Sequence, residues 1–160
     1  MKRISLLILL LALISGSPAV AKNLQALFAY KTFYSPENGP YIETYLSVNA
    51  QSVVYSKTAS GKYQGSIEIK VTYRSATEVV HSDNYNRLSP EVDDSLNVKF
   101  SFLDQQRVQL PNGQYKMKLV ITDKNVPDKP YNVTQMISIE YFNNIAAVSD
   151  IQFLDYYSKS

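Results

Sequence analysis

Between Tyr63 and Arg74 the chain alternates without a break. Tyr63, Gly65, Ile67, Ile69, Val71 and Tyr73 are interleaved with Gln64, Ser66, Glu68, Lys70, Thr72 and Arg74. Successive strand side chains point to opposite faces, so the run predicts a strand with one buried and one wet face. Half-buried strands of this kind belong to antiparallel sheets. Leu96, Val98, Phe100 and Phe102 alternate with Asn97, Lys99, Ser101 and Leu103, and Tyr115, Met117, Leu119 and Ile121 with Gln114, Lys116, Lys118 and Val120. Val133, Ile137, Ile139 and Tyr141 share a further face. Residues 27–34 and 41–48 read as two strands around Ser35-Pro36-Glu37-Asn38-Gly39-Pro40, while 53–57 and 78–81 are shorter candidates.

Turn chemistry separates these runs: Ser60-Gly61, Ser89-Pro90, Pro111-Asn112-Gly113, and the stretch from Asp123 to Pro130. Gly and Asn tolerate positive φ and Pro presets a turn. The spacing predicts an all-β fold, an Ig-like antiparallel β-sandwich of about 7–9 strands. Tyr115 opens a strand immediately after a Pro-Asn-Gly turn. Ig-like sandwiches use such a Tyr at a corner, where its hydroxyl ties back to the backbone, and the alternative is an ordinary core-facing Tyr.

The first 21 residues break the pattern. Met1-Lys2-Arg3 is basic, residues 4–14 are apolar apart from Ser5, and Ala19-Val20-Ala21 is the small-x-small pattern of a signal-peptidase site. The apolar stretch is far short of the ~20 residues a membrane-spanning helix needs. Residues 1–21 are therefore expected to be a cleaved signal peptide, with 22–144 the sandwich. Residues 145–160 form either a last apolar strand or the start of a missing domain. The expected location is the periplasm, the extracellular space or the cell surface of a bacterium, with no integral membrane span in the mature chain.

Composition narrows the chemistry. With no Cys among 160 residues, disulfides, thiolate metal sites and cysteine nucleophiles are excluded. Of 16 basic residues, Lys2 and Arg3 lie in the leader, which leaves 14 against 14 acidic ones. A neutral domain has no global field to hold nucleic acid or an anionic membrane, and no nucleic acid is expected as a partner.

His81, the one histidine, is followed by Ser82 and Asp83. Adjacent strand residues face opposite ways, so His81 and Ser82 are not placed to form a nucleophile–base pair. Oxygen-rich metal sites would have to come from Asp123, Asn125 and Asp128 or from Glu91, Asp93 and Asp94. Neither group has the spacing of a calcium loop. No catalytic, cofactor-binding or metal residue is assigned, and the chain reads as a non-enzyme. Its aromatics remain: 13 Tyr and 6 Phe, with Tyr30, Tyr34, Tyr41 and Tyr45 around the first turn and Tyr156-Tyr157 near the end. They suit a core, a protein interface or a sugar-stacking surface.

Phe33-Tyr34-Ser35-Pro36-Glu37-Asn38-Gly39-Pro40-Tyr41-Ile42-Glu43-Thr44-Tyr45-Leu46, Tyr63-Gln64-Gly65-Ser66-Ile67-Glu68-Ile69, Leu110-Pro111-Asn112-Gly113-Gln114-Tyr115 and Ser149-Asp150-Ile151-Gln152 together resemble the N-terminal β-rich region of bacterial GWxTD domain-containing proteins. The resemblance spans residues 27–154. With no Trp, the chain lacks the Gly-Trp-x-Thr-Asp motif itself. The resemblance implies an exported envelope protein without established catalytic residues. The expected function is a non-catalytic interaction or scaffold module, whose partner is an envelope protein or a missing C-terminal domain. The alternative is a carbohydrate- or surface-binding module using exposed tyrosines.

Overall fold

A computed structural model describes residues 23–141 and 149–150. It contains eight strands: β1 (Ala26–Ser35), β2 (Gly39–Asn49), β3 (Tyr55–Lys57), β4 (Tyr63–Arg74), β5 (Val79–Leu88), β6 (Ser101–Gln109), β7 (Gly113–Asp123) and β8 (Val126–Ile139). A 3-10 turn at Ala50–Ser52 follows β2. One sheet has the order β1-β2-β6. In the other, β4 pairs with both β5 and β7, β7 pairs with β8, and the short β3 joins the start of β4. Every strand pair is antiparallel. The fold is an all-β antiparallel sandwich.

The alternation in the sequence is the alternation of burial. On β4, Gly65, Ile67, Ile69, Val71 and Tyr73 are buried, and on β7 Tyr115, Met117, Leu119, Ile121 and Asp123 are. They meet Ile42, Leu46 and Val48 of β2 and Phe102 and Val108 of β6 in one core cluster. Burying each such side chain contributes about 1.5–3 kcal/mol.

Tyrosine hydroxyls tie the two sheets together at both open sides. Along the β5/β6 side, Tyr85 donates to Asp104 Oδ2 at 2.6 Å and Arg87 donates to the Leu103 carbonyl at 3.1 Å. Along the β1/β8 side, Tyr141 donates to the Thr32 carbonyl at 2.8 Å and Tyr30 to the Met136 carbonyl at 3.4 Å. A Tyr brings apolar area for the core and a polar tip for the seam. The tyrosine corner is present: Tyr115 donates to the Pro111 carbonyl at 2.8 Å. Gly113 makes room for it, because a Cβ there would lie 3.2 Å from the Tyr115 hydroxyl.

Three strand boundaries differ from expectation. The run from Leu96 to Leu103 becomes strand only at Ser101, and Leu96 is 86% exposed. Asp94 explains this: its carboxylate accepts from the Leu96 N–H at 2.8 Å and from the Asn97 amide, holding a local turn instead of a ladder. The short 78–81 candidate is the beginning of a ten-residue strand, β5. As an edge strand exposed over most of its length, β5 carries little apolar alternation. Lastly, the turn expected over 123–130 occupies only Lys124-Asn125, and Pro127 and Pro130 lie inside β8. An edge strand accommodates Pro because one side needs no ladder donor.

Residues 1–21, the expected signal peptide, lie outside the described residues, as does most of 145–160. Ser149 and Asp150 are described, and they bond to the free edge of β1. Asp150 N–H donates to the Thr32 carbonyl at 3.1 Å, Thr32 N–H to Asp150 Oδ2 at 2.8 Å, and Tyr34 N–H to Ser149 Oγ at 3.1 Å.

The Tyr73 hydroxyl is fully buried without a hydrogen-bond partner among the described residues, and burial pushes its pKa up. An unsatisfied buried hydroxyl costs about 1–3 kcal/mol. Tyr73→Phe is therefore expected to leave stability unchanged or raise it by up to about 2 kcal/mol in urea unfolding. A loss beyond about 1 kcal/mol would show that the hydroxyl is satisfied.

Candidate binding face

The outward face of the three-stranded sheet concentrates unusual side chains. Strand pairing sets them in rows: Phe33–Tyr41–Gln109, Lys31–Glu43–Arg107, Ala29–Tyr45–Gln105 and Leu27–Ser47–Leu103. The register of the first hairpin is set by the turn at Pro36–Asn38 and by Gly39, whose φ of 78° is a left-handed conformation that glycine adopts freely.

Glu43 lies at the middle of this face yet is only 6% exposed. Its carboxylate accepts from the Tyr45 hydroxyl, from Gln105 Nε2 at 3.3 Å, and from Arg107 through Nε at 2.8 Å and through a terminal guanidinium nitrogen. Burial opposes the charge on Glu43, but the hydrogen bonds from Tyr45 and Arg107 outweigh it and hold the carboxyl below its ordinary pKa. Arg107 also lies 4.6 Å over the Tyr41 ring, which stacks on Phe33 at 5.4 Å. One connected cluster thus fixes side chains from all three strands.

A carboxyl with a lowered folded pKa stabilises the fold above the ordinary carboxylate range. That contribution is lost as pH falls through the folded value. Arg107→Gln removes the strongest charged donor, so the Glu43-linked loss of stability is expected to begin at higher pH. Urea midpoints measured between pH 3 and pH 7 check this, and superimposable pH profiles for wild type and variant would contradict it.

Below the cluster the face turns apolar. Leu27 is 78% and Leu103 66% exposed. Between them, with Ala29, Tyr45, Ser47 and Gln105 among its lining, lies an open depression of about 270 Å³. A second, of about 320 Å³, is lined by Ser35, Asn38, Tyr41, Arg107 and Gln109.

The four tyrosines around the first turn separate. Tyr30 and Tyr34 pack against the core, and Tyr34 reaches the Tyr141 ring at 5.9 Å. Tyr41 and Tyr45 lie on the outward face. His81 and Ser82 diverge as strand geometry requires. His81 Nε2 is 2.7 Å from Asp83 Oδ2, while Ser82 Oγ pairs with Thr72 Oγ1 at 3.2 Å.

The acidic loops serve local structure. Asp123, 3% exposed, accepts from Val54 N–H at 2.7 Å and Asn125 N–H at 2.9 Å, joining the β7–β8 turn to the segment entering β3. Asn125 adds a bond to the Val54 carbonyl at 2.8 Å. Glu91 accepts from Ser60 Oγ, and Asp93 lies 3.6 Å from Lys62 Nζ. Among the described residues no group of three metal-ligating side chains converges.

Sequence reasoning missed the Glu43 cluster. Tyr41, Glu43 and Tyr45 alternate with Ile42, Thr44 and Leu46, which was a readable signal for one outward face. Their partner Arg107 sits in the polar run Asp104-Gln105-Gln106-Arg107, which carries no strand pattern.

No family model matches the chain, and no curated protein matches it. Among solved structures it is similar to the crystal structure described as the ApaA protein from Bordetella pertussis, at a TM-score of 0.35 and 10% identity. That alignment covers 74% of this chain and 97% of the other.

Proposed function

We propose that this chain is a non-catalytic protein-interaction module of the bacterial cell envelope, exported by residues 1–21. Its contact surface is the outward face of the β1-β2-β6 sheet. The observation that carries this reading is the pairing of two largely exposed leucines, Leu27 and Leu103, with a mutually bonded aromatic and guanidinium cluster on the same face. Exposed apolar side chains beside ordered aromatics and Arg are the composition of an interface centre. The partner is an envelope protein or the C-terminal domain of a GWxTD-type protein, in keeping with the sequence resemblance.

The sugar-binding alternative draws less support from the same face. Phe33 and Arg107 approach the Tyr41 ring from the strands on either side of β2, which leaves little open ring for a pyranose.

The double substitution Leu27→Glu and Leu103→Glu tests the proposal. Both side chains are exposed, so stability is expected to change by no more than about 0.5 kcal/mol per site. The partner that co-purifies from the envelope of the native host is expected to be lost. A folded double variant that retains the complex would place the contact elsewhere.

A further inference from the structure

The chain outside its leader is neutral overall, yet the outward face of the five-stranded sheet is not. Strand register places Val79, Arg74, Lys116 and Met136 side by side across β5, β4, β7 and β8. The row spans about 14 Å at the usual strand spacing. Both cations are exposed, Val79 is 44% and Met136 65% exposed, and among the described residues neither cation has an ion-pair partner. Lys118 and Lys70 extend the positive charge along the same face, with neutral Thr72, Ser82 and Thr134 around Lys118. The acids nearest the patch lie at its margins: Glu68 two residues beyond Lys70 on β4, Glu78 in the β4–β5 turn, and Glu140 past the end of β8, where it accepts from Ser138.

Arg74 and Lys116 are direct cross-strand partners, about 5 Å apart at their backbones. Like charges set directly opposite destabilise a sheet. Among the described residues no ion pair compensates them, whereas an external anionic surface would. The exposed apolar side chains at both ends of the row choose among such surfaces. Cations flanked by apolar groups at one level suit a bilayer interface, where headgroup phosphates meet the former and the acyl boundary the latter.

We propose that this row is a peripheral contact for an anionic lipid bilayer, on the face opposite the protein-binding one. Each cation near an anionic surface contributes about a fivefold factor in partitioning.

The test is sedimentation of the exported chain, residues 22–160, with phosphatidylglycerol/phosphatidylcholine vesicles and with phosphatidylcholine vesicles alone, at 50 mM and 500 mM salt. The expected result is a preference for anionic vesicles at 50 mM salt that falls about 30-fold in Arg74→Gln/Lys116→Gln and collapses at 500 mM. The Leu27→Glu/Leu103→Glu variant is expected to keep that preference, which separates this surface from the protein-binding one. Equal partition onto the two vesicle types would overturn the proposal. So would an anionic preference unchanged in Arg74→Gln/Lys116→Gln, or binding to polygalacturonate without binding to vesicles.

Discussion

Asp123→Ala is expected to lower stability by about 2–4 kcal/mol, the largest effect of any single polar substitution in this fold. The carboxylate is buried and accepts from two backbone amides, Val54 at 2.7 Å and Asn125 at 2.9 Å. Alanine leaves the Val54 N–H without its acceptor at the point where the chain crosses from the β1-β2-β6 sheet into β3. It also frees the β7–β8 turn, whose Asn125 bonds back to Val54. Asp123→Asn keeps one acceptor oxygen and is expected to recover part of the loss. Urea unfolding of both variants measures this, and a cost below about 0.5 kcal/mol for Ala would mean the crossover is held by other contacts.

Tyr85→Phe is expected to cost about 1.5–3 kcal/mol, the range for a hydrogen bond to a charged partner. The substitution keeps the ring and leaves no cavity, so the change reports the hydroxyl alone. That hydroxyl spans the sandwich from β5 to Asp104 of β6, a side chain only 8% exposed. Without it Asp104 retains, among the described residues, the longer bonds from Gln106 at 3.3–3.4 Å and an ion-pair contact with Arg87 at 3.9 Å. Burial and the neighbouring Asp104 raise the Tyr85 pKa. A phenol that holds its proton more tightly when folded stabilises the fold below the ordinary phenol range, and that contribution is lost as pH rises beyond it. Wild type should therefore lose stability above about pH 10, and Tyr85→Phe should lose less over the same window. If the two alkaline profiles coincide and the urea midpoints match at pH 7, Tyr85 does not tie the sheets.

How much of this was legible in the sequence depended on burial. β4 and β7 lie at the centre of their sheet, where one buried face imposes strict alternation, and both were readable from Ile67-Glu68-Ile69 and Met117-Lys118-Leu119. The corner at Tyr115 was readable because Pro-Asn-Gly fixes the turn before it. Edge strands leave a fainter trace. β5 mixes Val79, Val80, Tyr85 and Leu88 with polar residues in no regular alternation, and β6 runs through Asp104-Gln105-Gln106-Arg107, where Asp104 faces the core with Tyr85 and Gln106 bonding to it. The aromatic count was legible but its meaning was not. Tyr30 and Tyr41 look alike in a list of residues, yet strand phase turns one inward and the other outward. The cationic row was hidden for a related reason: net charge is blind to which residues a register brings side by side.

The central claim, that the outward face of the β1-β2-β6 sheet is where a partner sits, is tested most directly by cross-linking in the native host. A photoreactive amino acid at position 103, with position 136 on the opposite face for comparison, would be activated in intact cells. The account predicts a discrete, heavier protein adduct from position 103 that disappears when Leu27→Glu is added, and no such adduct from position 136. Adducts of equal yield from both positions, or none from position 103 while the chain is exported and folded, would contradict it.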